Sequence, residues 1–277
     1  MESISAKDKA SFAADGFVVK RHLFDAEEMA YLERAYEEDE AIHRRAFGRA
    51  DGRGGQTEIA LWNEPGEDVF GAVARCSRMV DAAAELLGDE VYHYHSKINV
   101  KRPGTGGTWI WHQDYGYWYH NGCLYPDMAT VAIPLTPMNA ANGCLQVLAG
   151  SHLLGRIEHR RIGEQSGADP ERMEAILSHF ERVSFEAEPG DAMFFHCNTL
   201  HTSEPNDSDT PRNLLLVAYN TRHNNPYREH HHPRYTPIEK LSDHAIKERG
   251  LWHDGDARVF MDPRTDHSVD TLAMAKS

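Results

Sequence analysis

In the stretch TWIWHQDYGYWYHNG, residues 108–122, His112 and Asp114 stand two positions apart among aromatic rings. Imidazole and carboxylate together suit a divalent metal kept for redox chemistry. Two histidines and one carboxylate take one face of such a metal and leave the remaining positions open to substrate and oxygen. On an extended strand residues i and i+2 share a face, so His112 and Asp114 are expected to point at one place inside a barrel. The third ligand must then come from another strand. Spacing alone says little, because a chain with 18 histidines holds roughly one His-x-Asp by chance.

A second stretch supplies the context. In PGDAMFFHCNTLHTS, residues 189–203, a Pro-Gly-Asp turn precedes an apolar strand, and His201 follows it. Eleven positions on, Arg212 opens RNLLLVAY, which reads as another buried strand. A permanent charge at the start of a core strand is costly unless an anion pairs with it. The guanidinium fork fits one carboxylate of a small dicarboxylic ligand.

The elements that must position these groups change character along the chain. Residues 1–89 read as mostly helical. Asp25 caps a helix expected to run to Gly48, and a second helix is expected over residues 69–87, closed by Gly88. Between them DGRGGQTE, residues 51–58, is a connector or a lid. From Glu90 short strand-like runs follow one another: VYHYHSKINV, TWIWHQD, MATVAIPL, GCLQVLAG, RVSFEAE, DAMFFHC and RNLLLVAYNT. One helix interrupts them after Asp169 or Pro170. Many strands without βα alternation predict a mainly β fold with flanking helices, a β-barrel or a jelly roll, not a parallel sheet. The expected organisation is one domain over residues 1–277, with the core at 90–221 and a polar C-terminal extension at 222–277.

Charge and composition narrow the function. With 29 Lys+Arg against 43 Asp+Glu the formal charge is -14, and no basic stripe stands out, so nucleic acid is not an expected partner. Residues 1–16 carry no secretory apolar core, and no run is long enough to span a bilayer; a cytoplasmic protein is the expectation. The four cysteines, Cys76, Cys123, Cys144 and Cys197, form no C-x-x-C pair and read as reduced, buried thiols.

His-x-Asp, a distal histidine and an arginine about ten residues beyond it resemble the iron and 2-oxoglutarate dependent dioxygenases of the phytanoyl-CoA dioxygenase family. The resemblance covers roughly residues 91–221 and is closest in HSKINVKRPGTGGTWIWHQD, NGCLQVLAGSH and PGDAMFFHCNTLHTS followed by PRN. Within the family these motifs are most similar to bacterial ectoine hydroxylases and free proline hydroxylases. The resemblance implies a double-stranded β-helix core, a cupin-like jelly roll, in which His112, Asp114 and His201 hold Fe(II) while Arg212 binds the distal carboxylate of 2-oxoglutarate. Asn99 stands where relatives offer an amide to that cosubstrate, and Ser203 or Thr130 would add a hydroxyl. His95 falls where ectoine hydroxylases reach substrate with a glutamine, and Trp118 where a tryptophan packs over it. Leu216 replaces an aromatic residue that ectoine hydroxylases lay on their substrate, which argues against ectoine itself. Halogenases of this superfamily lack the aspartate; with Asp114 present, hydroxylation is favoured.

Blander readings compete at several positions. Trp109, Trp111, Tyr115, Tyr117 and Tyr119 read as packing aromatics. Lys97, Lys101 and Arg102 read as a solvated face, although a cation such as Lys97 near the mouth would attract an anionic substrate. The triplet His230–His232 reads as a solvated loop, because three consecutive side chains cannot converge from one strand. Asn142-Gly143 is a turn.

The resulting expectation is a hydroxylase of a small polar, zwitterionic metabolite such as an amino acid, a compatible solute or an aminophosphonate like 2-aminoethylphosphonate. It would use Fe(II), O2 and 2-oxoglutarate, the last leaving as succinate. A bulky acyl-CoA fits less well, since no basic path is present for its phosphates. Two other classes use the same features: a zinc hydrolase with His-Asp-His ligands, which has no need of Arg212, and a non-catalytic ligand-binding barrel. Neither oligomeric state nor substrate identity follows from the sequence.

Overall fold

Capping chemistry starts the first helices. Ser5 and Asp8 form a reciprocal capping box on α1 (Ala6–Asp15), and Asp25 and Glu28 form another on α2 (Ala26–Glu38), with β1 (Phe17–Lys20) between them. The computed structural model describes residues 4–104, 106–255 and 257–266. The helix expected to reach Gly48 stops early: Asp39 caps a separate α3 (Glu40–Arg45), and Phe47–Ala50 is a strand, β2. Asp51 then accepts hydrogen bonds from the backbone N–H groups of Arg53, Gly55 and Thr108. The glycine-rich stretch is thus a pinned turn leading into β3 (Gln56–Trp62) rather than a lid. The second expected helix is also two, α4 (Val69–Arg75) and α5 (Ser77–Leu87), broken at Cys76. The described part of residues 1–89 is mostly helical, as expected, but it also contributes three strands that the sequence did not signal. Local periodicity cannot show that a strand's partners lie elsewhere in the chain.

The rest of the chain follows as β4 (Val91–Lys101), β5 (Trp109–His112), α6 (Asp114–Trp118), β6 (Met128–Pro134) and β7 (Leu145–Leu148). Next come β8 (His159–Ile162), β9 (Gln165–Ala168), α7 (Pro170–Leu177) and β10 (Arg182–Phe185). The last elements are β11 (Ala192–His196), β12 (His201–Ser203), β13 (Arg212–Thr221) and α8 (Ala245–Arg249). Seven strands form one antiparallel sheet in the order β1-β11-β6-β13-β4-β3-β2, and four form the facing sheet, β10-β7-β12-β5. The hairpin β8-β9 stands apart.

Strand parity decides what faces the interior. On β13, Leu215, Val217 and Tyr219 pack with Ile98, Val100, Val131 and Ile133 against the helices. Leu214 and Leu216 turn the other way, onto Leu145, Val147, Met193 and Phe195 between the sheets. The same parity sends Arg212 inward from β13, and His95, Lys97 and Asn99 inward from β4. A one-residue slip would turn all of them onto the apolar face under the helices, and the long pairing of β13 with β4, with one irregularity between Ala218 and Tyr219, specifies that register.

Candidate active site

His112 and His201 face each other across β5 and β12 as direct cross-strand partners, with ring centroids 4.0 Å apart. His112 Nδ1 lies 2.7 Å from the Ile110 carbonyl oxygen, and His201 Nδ1 lies 2.9 Å from that of Thr199. A carbonyl only accepts, so each Nδ1 carries the proton and each Nε2 presents a lone pair inward. Burial, followed for His112 by the field of His201, holds both imidazoles below their ordinary pKa, in the neutral form a metal needs.

Asp114 reaches the same point by a different local structure from the one expected. The strand ends at His112, Gln113 is extended, and Asp114 is the first residue of α6. The corner is braced from both sides. The Gln113 side chain donates to the carbonyls of Gly155 and Asn198 and accepts from Ile157 N–H, while Gln113 N–H donates to His159 Nε2. His159 packs so closely on Gly116 that a Cβ there would sit 2.1 Å from the ring. Asp114 Oδ2 accepts from Thr130 Oγ1 at 2.8 Å, and Oδ1 lies 3.9 Å from both Lys97 Nζ and His201 Nε2. Burial pushes this carboxyl up, but Lys97, the imidazoles and Thr130 together outweigh it and hold it at about 2.

One ligand atom from each of His112, Asp114 and His201 lies within 4.8 Å of the others. Two neutral nitrogens and one carboxylate on one side suit Fe(II) with open positions. Thr130 is committed to Asp114, so the expectation that it serves a cosubstrate is corrected: a hydroxyl has one proton to donate, and the carboxylate takes it.

Beside the ligands lies an inner pocket of about 40 Å³, lined by Lys97, Asn99, Ser203, Arg212, Leu214 and Leu216 among others. Arg212 is 1% exposed, and its nearest acceptor is the Asn99 carbonyl at 3.5 Å. Among the described residues no carboxylate pairs with it, its Nε has no partner, and neither has the buried Asn99 Oδ1. Burial pulls the guanidinium down to about 10. A buried cation without an anion is the deficit that a dicarboxylate would fill. Lys101, expected on a solvated face, is buried as well, its ammonium donating to the carbonyls of Ser203 (2.9 Å) and Glu204. Arg102 is exposed and paired with Glu58.

An outer chamber of about 110 Å³ opens on the other side of the ligands. His95, Lys97 and Trp118 line it as expected, and Trp118 is buried edge-on to His95. Arg49, Tyr117, Gln165, His232, Met261 and Asp266 complete it and were not anticipated as site residues. The solvated-loop reading of the histidine triplet is corrected. His232 is buried, and His231 Nε2 lies 2.9 Å from the Tyr117 hydroxyl. The triplet lies outside any strand or helix, so alternation does not limit its side chains.

A jelly roll with two neutral imidazoles and a carboxylate beside a buried arginine that pairs with no carboxylate among the described residues is the site of a 2-oxoglutarate-dependent dioxygenase. The family model for phytanoyl-CoA dioxygenase (PhyH) matches residues 12–214, and the chain belongs to that family. It is 28% identical over 250 residues to the ectoine dioxygenase of Bordetella parapertussis, covering 84% of this chain and 81% of the relative. It is 32% identical over 176 residues to the L-proline trans-4-hydroxylase of Streptomyces griseoviridis, covering 58% and 66%. The apo crystal structure of EctD from S. alaskensis superimposes with a TM-score of 0.73 at 24% identity, over 87% of this chain and 88% of that one.

Proposed function

We propose that the protein hydroxylates an unactivated C–H bond of a small zwitterionic metabolite, an amino acid, compatible solute or aminophosphonate, in the cytoplasm. Four buried free thiols fit that reducing compartment. The observation that carries the reading is that His112 and His201 on one sheet and Asp114 on α6 stand beside a pocket into which the facing sheet sends Arg212, a buried cation with no carboxylate partner among the described residues. His112, Asp114 and His201 would hold Fe(II). Arg212, with Asn99 and Ser203, would hold 2-oxoglutarate by its distal carboxylate. Iron and cosubstrate supply the activation of O2, one oxygen atom ending in succinate and the other in the product hydroxyl.

The protein's own part is positioning and dryness. Gln113 and His159 fix the corner that carries two ligands, and Thr130 orients the carboxylate. Lys97, exposed to both compartments, balances the negative charge of Asp114 and of an anionic substrate group. Trp118, Trp109 and Tyr117 keep bulk water from the reacting carbon.

Succinate release across a panel of amines, amino acids and aminophosphonates tests this reading. One class should stimulate release above the substrate-free rate, and anaerobic addition of Fe(II) and 2-oxoglutarate should give a weak visible charge-transfer band. No band, with activity supported by zinc alone, would mean a hydrolase.

A further inference from the structure

His232 follows β13 by eleven residues, yet it forms part of the outer chamber's wall. Its ring stacks on His95 with centroids 4.8 Å apart and planes 25° from parallel. Its Nδ1 lies 3.0 Å from Asn63 Oδ1. The far end of that amide fixes which atom is which, since Asn63 Nδ2 donates to the His231 backbone carbonyl at 2.6 Å. A carbonyl cannot donate, so the amide nitrogen must face His231 and the oxygen must face His232. His232 Nδ1 therefore carries the proton. Burial, then the neighbouring His95, His231 and His230, keep the imidazole well below its ordinary pKa and neutral. Nε2 is left as a lone pair with no partner among the described residues.

The surroundings favour a cationic donor at that lone pair. Glu164, Asp114 and Asp266 line the same chamber against Arg49 and Lys97, Asp266 pairing with Arg49 at 2.9 Å. Trp118, also in the chamber wall, stands edge-on to His95. His95 Nδ1 is buried there without a partner. A carboxylate or phosphonate placed against His232 Nε2 would instead meet a lone pair.

We propose that His232 is a specificity-determining residue for a protonated primary or secondary amine, its Nε2 accepting a substrate N–H while Asn63 holds the tautomer. The substrate's anionic end then lies toward Lys97, and quaternary ammonium compounds, which have no N–H, are disfavoured. The inference rests on the zwitterion reading above and adds the polarity of one subsite.

The probes are L-proline and 2-aminoethylphosphonate, their amine-free counterparts cyclopentanecarboxylate and ethylphosphonate, and quaternary N,N-dimethyl-L-proline. Coupled succinate release in the wild-type protein should favour an N–H-bearing probe over its counterparts. In His232→Phe, which keeps the ring volume, the KM for that amine should rise about 10- to 100-fold, while the KM for its amine-free counterpart and for 2-oxoglutarate moves less than about threefold. His232→Gln, with an amide oxygen in place of Nε2, should recover part of the loss. Asn63→Leu, which frees the tautomer, should show a smaller rise. Circular dichroism melting of each variant separates these effects from misfolding. An unchanged amine KM in His232→Phe, or equal losses for the amine and its counterpart, overturns the role of His232 alone. Preference of the wild-type protein for an amine-free probe overturns the zwitterion reading and this inference together.

Discussion

The inner pocket and the outer chamber share Lys97, Trp109 and His112, but they are built in opposite ways. The inner pocket is walled by strands of the two facing sheets, and its Arg212 and Asn99 are buried with polar atoms left unpartnered among the described residues. The outer chamber shares β4 and β5 with it, and adds β2, β3, the β9 hairpin strand, α6 and two pieces of the C-terminal extension that belong to no strand. Rigid strands suit chemistry that tolerates little displacement, whereas loops can change without disturbing the core. On the proposed reading, reaction type is set inside and substrate choice outside.

Removing a metal ligand should have the largest effect. His201→Ala or Asp114→Ala, or chelation of the wild-type protein with EDTA, should reduce succinate release to background, checked together with iron content. Arg212→Met comes next, with the KM for 2-oxoglutarate raised about 100-fold and iron affinity little changed. A variant with unaltered cosubstrate affinity would remove Arg212 from the inner pocket.

Acid should then weaken the frame that carries the ligands. Burial lowers the folded-state pKa of His159 to about 4, against about 6.5 in the unfolded chain. The unfolded chain binds more protons between those values, so the stabilisation is complete above pH 6.5 and is lost as pH falls toward 4. Between pH 6.5 and 5 the loss is roughly 2 kcal/mol for such a histidine. Thermal melts of metal-free protein should fall over that window, less steeply in His159→Gln. A flat profile would show that His159 is protonated at little cost where it stands.

Thr130→Val should lower iron affinity by about tenfold through the freed carboxylate, read by competition with a chelator. Smallest of all, Arg49→Met should raise the KM for substrate only a few-fold, since Arg49 already pairs with Asp266 at 2.9 Å. Its 2-oxoglutarate KM should stay put; movement of both constants would blur the division between the two compartments.

The legibility of the two regions in sequence differs for the same reason. Arg212 announces itself because a permanent charge opens a run of apolar residues, and His201 because it follows an apolar strand. A barrel or jelly roll was legible from strand runs without βα alternation, and the resemblance to a known family narrowed it to the double-stranded β-helix. Asp114 was found for an incomplete reason, since the corner after His112 is made by Gln113 and His159, whose partners are 42 to 85 residues away in the chain. Arg49, Asp266 and His232 gave no usable signal. Arg49 lies on a strand mistaken for the end of a helix, and a histidine triplet in a polar extension is ordinarily solvated. Lys101 was misread because a lone lysine at a strand end carries no mark of the two carbonyls that bury it.

By itself the sequence pointed to the class of chemistry and, through its resemblance to a known family, to candidate ligands. Charge and apolar periodicity are properties of short segments, and short segments are what local physics reads. Tertiary structure decided which tautomer each histidine adopts, which hydroxyl Asp114 claims, and that His232 stands beside His95. Those outcomes depend on partners brought together only by the closing of the barrel and its extension, and a hydrogen bond between distant segments leaves no trace in the spacing of either.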